Sequence, residues 1–131
     1  MKAKPKIGDT GQLRFVVAAE HTINIANSAE LAVLSTPSLI WFLEHAAREA
    51  LQSLLEPEET SVGTSVEMEH LAATPLGHEV ICTARVILVE GATLTFQVSA
   101  QDQREMIARG VHKRRVVRQQ RFNDYVRKKV L

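Results

Sequence analysis

Residues 35–51, STPSLIWFLEHAAREAL, place a carboxylate, Glu44, directly after five consecutive apolar side chains. A charge withdrawn from water is costly unless it is paired, and burial favours the neutral form of an acid. An acid in such surroundings is therefore matched by a partner or kept for its basicity. The bland match is Arg48, four residues on, which would make an ordinary ion pair on an exposed helix face. Two further side chains could join Glu44 in chemistry. Thr36 precedes it with seven residues between, and His70 follows after 25 more. A carboxylate and an imidazole form a general acid–base set, and a hydroxyl can orient either one or donate to a developing oxyanion. Each has a structural alternative: a threonine at a helix start caps it, and a histidine on an inner strand face is most often a satisfied core residue.

Other chemistries find less support. His21, His45, His78 and His112 have no metal-ligand spacing with a carboxylate or thiol, and Cys82 is the only cysteine, so no metal and no resident cofactor are expected. The chain has neither a Gly-rich phosphate loop nor a serine in a nucleophile elbow. A lone cysteine fits a reducing compartment. No apolar run reaches the length of a signal peptide core or a membrane span, so the expectation is a cytoplasmic protein with no membrane partner. The 131 residues suit a single domain, 1–131, of ordinary composition: 45% hydrophobic, 24% charged, net charge +1. Half of the 16 Lys and Arg residues fall between Lys113 and the C-terminus. Such a cluster suits a polyanion, the phosphates of a small molecule or a solvated edge. Nucleic acid is disfavoured because no aromatic platform accompanies the charge.

The elements that must position these residues can be read from periodicity. GQLRFVV alternates as a first strand. Residues 20–35 have no clear period and are expected to form a loop, with a helical turn around SAELAVL. Ser35-Thr36-Pro37 is a helix start, a hydroxyl at the N-cap and proline at the first helical position, and the helix is expected to run to about Leu55. In the next segment Val62, Thr64, Val66, Met68 and His70 share one strand face, toward the helix. HEVICTARVILV and ATLTFQVSA follow, joined through a Glu90-Gly91 hairpin. EMIARGVHKRRVVR is the last strand, and RFNDYVRKKVL a short amphipathic helix. The expected order is a strand, one long helix and a four-stranded antiparallel meander.

At about 100° per residue, Ile40, Trp41, Ala47, Leu51 and Leu55 flank Glu44 on the helix surface, so the acid sits near the edge of the apolar arc. A helix this apolar must be wrapped, and a curved antiparallel sheet is the available partner. The implied class is α+β: a hot-dog fold, with a long central helix inside a curved sheet of about five strands and a short C-terminal helix. A cystatin-like roll is the main competitor.

The Thr36, Glu44 and His70 spacing resembles the catalytic set of fluoroacetyl-CoA-thioesterase-like hot-dog proteins. So do the surrounding words STPSLIWFLEHAA, VGTSVEMEHLAATPLG, GVHKRR and RFNDYVRKK, which span nearly the whole chain from the first strand on. The resemblance implies an acyl-CoA thioesterase in which Thr36, Glu44 and His70 are catalytic, and Gly63 and Arg114 contact the substrate. Coenzyme A would enter as part of that substrate. By the same resemblance Glu44 attacks the thioester or activates water, His70 shuttles protons, and Thr36 orients the carboxylate or serves the oxyanion. Gly63 within a strand suggests close approach of a ligand or a bulge. Arg114, with Lys113 and Arg115 nearby, is a candidate for coenzyme A phosphates. One departure stands out: the fluoroacetyl-CoA enzyme has an aromatic lid residue shortly before its threonine, and ANSAELAVLS has no aromatic. The expected substrate is accordingly a small acyl-CoA rather than fluoroacetyl-CoA in particular. Thr36 and Glu44 are about 12 Å apart along one helix, too far for a hydrogen bond. A site completed across a homodimer, itself able to pair into a tetramer, answers that distance. A non-catalytic acyl-CoA-binding or sensing module and a hot-dog hydratase or dehydratase are the alternatives.

Overall fold

The computed structural model describes residues 1–25 and 31–130. Strand β1 (Thr10–Val16) leads through a turn of 3-10 helix at Ala19–His21 into β2 (Thr22–Asn24). β3 (Ala32–Leu34) pairs with β2 as a separate two-stranded ribbon. Helix α1 (Thr36–Gln52) follows, then β4 (Glu59–His70), β5 (Glu79–Glu90), β6 (Thr93–Gln101), β7 (Met106–Arg118) and helix α2 (Gln119–Val130). The main sheet has five antiparallel strands in the order β1-β5-β6-β7-β4. It curls around α1, giving the α+β hot-dog architecture that the element order implied.

The start of α1 follows its sequence. Ser35 is the N-cap, its Oγ accepting from the Ser38 N–H at 3.3 Å, and Pro37 lies in the first turn, where no helical donor is needed. The helix ends three residues before Leu55, where the Leu54 N–H turns back to the Leu51 carbonyl at 2.9 Å. Leu39, Leu43 and Leu51 point into the sheet, each contributing about 1.5–3 kcal/mol by leaving water. Small residues bring the layers close: a Cβ on Gly11 of β1 would collide with the Ala46 carbonyl and the Ala50 amide of α1.

Three expectations need correction. The last four strands are not a meander. β5, β6 and β7 are, with the β5–β6 turn at Glu90-Gly91 as expected, but β4 crosses to the far edge and pairs with β7. That placement puts the strand after α1 opposite β1, so the sheet closes around the helix from both sides. Second, Ala32–Leu34 is a strand rather than part of a helical turn, because it pairs with Thr22–Asn24. Leu31 just before it is in a 3-10 turn, and the rest of SAELAVL, at 28–30, lies outside the described residues. Third, β4 does not keep one face throughout. A bulge between Gly63 and Ser65 absorbs one residue and reverses the alternation. Ser61 and Gly63 therefore face inward, as do Met68 and His70 beyond the bulge, while Val62 lies on the outer face beside Arg115 and Phe122.

Candidate active site

Glu44 projects from the middle of α1 toward β4 and β7 and pairs with Arg114, Nη1 to Oε2, at 3.2 Å. The Arg48 pair does not form; Arg48 instead reaches the Nε2 of His45 at 3.4 Å. Arg114 is only 4% exposed, whereas the Glu44 side chain is 35% exposed. Each nitrogen of the guanidinium has a partner. Its Nε donates to the Ser61 Oγ and its Nη2 to the Ser61 carbonyl, both at 2.9 Å, and its Nη1 also donates to the His112 Nε2 at 3.1 Å. Burial pushes the Arg114 pKa below its ordinary value, and the Glu44 carboxylate opposes that shift.

The imidazole nearest Glu44 is thus His112 of β7, with Nε2 at 3.9 Å from Oε2, and not His70. His112 donates from Nδ1 to the Ser65 carbonyl at 2.9 Å. A carbonyl only accepts and a guanidinium only donates, so the ring is the neutral tautomer with hydrogen on Nδ1. Burial is the main cause that lowers its pKa; Arg114 adds to that, while Ser65 and Glu44 act against it. Gly63 completes this cluster. A Cβ there would run into the Glu44 Oε2 and lie 3.2 Å from the His112 Cε1.

A second cluster forms at the start of α1. Because Ser35 takes the capping role, the Thr36 hydroxyl is available and meets the His70 Nδ1 at 2.8 Å. The pair lines a cavity of about 300 Å³ with Ile23, Leu34, Leu71 and Ala73. The His70 Nε2 is buried with no hydrogen-bond partner among the described residues. Burial lowers the His70 pKa, and a backbone interaction at Ala72 works the other way.

Of the five residues singled out in the sequence, one chain brings together Glu44, Gly63 and Arg114 in one cluster and Thr36 and His70 in another. It does not join Glu44 to His70. The basic C-terminal stretch divides as well. Arg114 is buried beside Glu44, whereas Arg115 lies on the opposite face and lines a groove under α2 with Arg118, Arg121 and Tyr125. Sequence reasoning missed Ser61 and the role of His112. The alternation in GVHKRR, which sets His112 and Arg114 on one face, was the available signal.

The model of a family described as fluoroacetyl-CoA-specific thioesterase matches residues 17–120. The chain belongs to this thioesterase family. A fluoroacetyl-CoA thioesterase of Streptantibioticus cattleyicolor is 36% identical over 135 residues, covering 98% of this chain and 97% of the relative. A mutant of the fluoroacetyl-CoA-specific thioesterase FlK superposes with a TM-score of 0.87 at 36% identity, covering 98% and 99% of the two chains. Another FlK mutant, solved in complex with acetyl-CoA, gives a TM-score of 0.87 at 34% identity, over 96% of this chain and 99% of that one. The likeness extends beyond this thioesterase family. A hot-dog-like protein from Thermanaerovibrio acidaminovorans reaches a TM-score of 0.84 at 26% identity, covering 94% and 91%.

Proposed function

We propose that this protein hydrolyses the thioester of a small acyl-CoA, with each active site assembled from two copies of the chain. The observation that carries the reading is the pairing of two incomplete clusters. One holds a carboxylate against a buried guanidinium, and the other holds an imidazole whose Nε2 is buried with no partner among the described residues. A homodimer that sets Glu44 of one chain beside His70 of the other supplies each with what it lacks. β4 offers a route: it is a 12-residue strand at the edge of the sheet, with one side unpaired among the described strands. Such an edge is a template for a second copy.

In that assembly the Glu44 carboxylate attacks the thioester carbonyl carbon or takes a proton from a water that does so. The C–S bond breaks, and the electron pair leaves with sulfur as the coenzyme A thiolate. On the first route a mixed anhydride of Glu44 forms, and a water that gives its proton to His70 hydrolyses it, freeing the acid and restoring the carboxylate; on the second, Glu44 passes the water's proton to His70. On either route His70 delivers that proton to the thiolate, so acid and thiol leave and the side chains return to their starting state. The Thr36 hydroxyl fixes the ring through Nδ1. A dry, preorganised charge pair costs little reorganisation when the carbonyl develops negative charge. Gly63 leaves room for the Glu44 Oε2 beside the strand, which a Cβ there would displace. The lack of an aromatic in the 26–35 stretch, part of which lies outside the described residues, favours a short acyl-CoA over fluoroacetyl-CoA in particular.

The test is thiol release from a panel of acyl-CoAs. Glu44→Gln is expected to lower kcat roughly 10²–10⁴-fold on the best substrate while the protein stays folded. Turnover that survives Glu44→Gln would overturn the mechanism; binding without turnover by the wild type would favour a sensing module, and hydration of an enoyl-CoA a hydratase.

A further inference from the structure

We infer that His112 is a positioning residue for the reaction: as the neutral Nδ1–H tautomer it anchors Arg114 and so sets where the Glu44 carboxylate points. The inference rests on the reading of Glu44 and Arg114 as parts of a thioesterase site.

The geometry leaves His112 few other tasks. It is 1% exposed, and both ring nitrogens are spoken for, Nδ1 by the Ser65 carbonyl at 2.9 Å and Nε2 by the Arg114 Nη1 at 3.1 Å. The ring lies near Phe96 of β6, with centroids 6.4 Å apart and planes 28° from parallel, which limits its rotation. The groups that face it are Glu44 from α1, with Arg48 acting on Arg114 from the same helix, Ser61 and Ser65 from β4, Phe96 from β6 and Arg114 from β7. None of them except His112 offers an acceptor to Nη1 in competition with Glu44.

That competition matters. Arg114 Nη1 divides its two hydrogens between the His112 Nε2 and the Glu44 Oε2, and His112 and Arg114 both approach Glu44 at Oε2. One carboxylate oxygen is anchored and Oε1 is left to meet the carbonyl or a water. Without the imidazole acceptor, a buried N–H would lack a partner, and the guanidinium would turn further onto the carboxylate to satisfy it. Glu44 would then be held more tightly, and in the wrong place.

His112→Phe keeps an aromatic ring and removes both hydrogen bonds. It is expected to lower kcat by about 10²-fold, the cost of misplacing a reacting group by an ångström or so, with little change in KM. His112→Gln restores an acceptor and should recover most of that loss. The decisive measurement is a double-mutant cycle with Arg114→Ala. If His112 acts through Arg114, His112→Phe costs nothing further in the Arg114→Ala background. An equal loss in both backgrounds, or no loss in the wild type while Arg114→Ala is crippled, would overturn the positioning role and leave the site intact. Wild-type turnover by Arg114→Ala would overturn the reading of the site itself. The tautomer needs no variant: ¹⁵N imidazole spectra of the native protein should show hydrogen on Nδ1 of His112, and hydrogen on Nε2 alone would refute the arrangement.

Discussion

The two clusters solve opposite problems. Around Arg114 each of the three guanidinium nitrogens already has a partner within one chain, and the group is buried beside β4 and β7. At Thr36 and His70 one side-chain hydrogen bond holds the ring at Nδ1, while Nε2 is buried with no hydrogen-bond partner among the described residues, in a residue that lines a cavity. A saturated network is rigid and suits a group that must hold its charge in one place. An unsatisfied imidazole suits a group that must take up a proton from something still to arrive. On the proposed reading, the difference teaches that one folded chain would carry preorganisation and proton capacity in separate places.

The largest effect comes from forcing the two clusters to cooperate between chains. Glu44→Gln and His70→Ala homodimers should each be nearly inactive. When the two variants are unfolded, mixed in equal amounts and refolded together, half of the dimers are mixed, and each mixed dimer has one intact site. Activity should return to about a quarter of the wild type on statistical grounds for a two-fold dimer. No recovery, with mixed dimers demonstrated by mass spectrometry, would place both residues in one chain's site and break the division drawn above.

A smaller effect sharpens the picture of the sealed cluster. Gly63→Ala adds a methyl group where the Glu44 Oε2 now lies. The obstructing atom is the far end of a flexible side chain, so the strand can keep its register while the carboxylate is displaced. The expected result is a loss in kcat on the order of tenfold or more from misplacement, with Tm changed by only a few degrees. A Tm collapse without a kinetic effect on the folded fraction would show that Gly63 serves the bulge and not the site.

How much of this was legible beforehand depends on the length scale of the signal. α1 could be placed because Ser35, Pro37 and the apolar arc are local features, and the thioesterase family was readable because VGTSVEMEHLAATPLG and the helix motif lie in continuous stretches. The crossing of β4 to the far edge was hidden, since strand order is set by how the sheet closes around the helix and not by any neighbouring residue. The bulge at Thr64 was hidden for a related reason. Val62, Thr64 and Val66 obey a strict alternation in sequence, and only the register against β7 shows that one residue is left over. That single slip turned Ser61 inward as an acceptor for Arg114 and made Gly63 the neighbour of Glu44. His112 went unrecognised because its partners, Ser65 and Arg114, come from a neighbouring strand and from two positions along its own.

The smallest effect is a stability change with pH that weighs the two clusters against each other. Burial holds the pKa of both His70 and His112 below the ordinary value of 6.5. The unfolded chain therefore binds more protons than the native one as pH falls past that value. By linkage, stability is full above about pH 6.5 and declines below it until each ring's lowered native pKa is reached. The carboxyls of Glu59 and Asp102, held below ordinary values of 4.5 and 3.8, withdraw stability only in more acidic solution, so the window from about pH 6.5 to 4.5 isolates the imidazoles. Protonating His112 also sets an N–H against the Arg114 Nη1, whereas around His70 the described residues set no N–H donor against Nε2. Denaturant unfolding across that window should therefore lose more of its slope with His112→Gln than with His70→Asn. A larger loss from His70→Asn would mean that the cluster at Thr36 is the more tightly closed of the two.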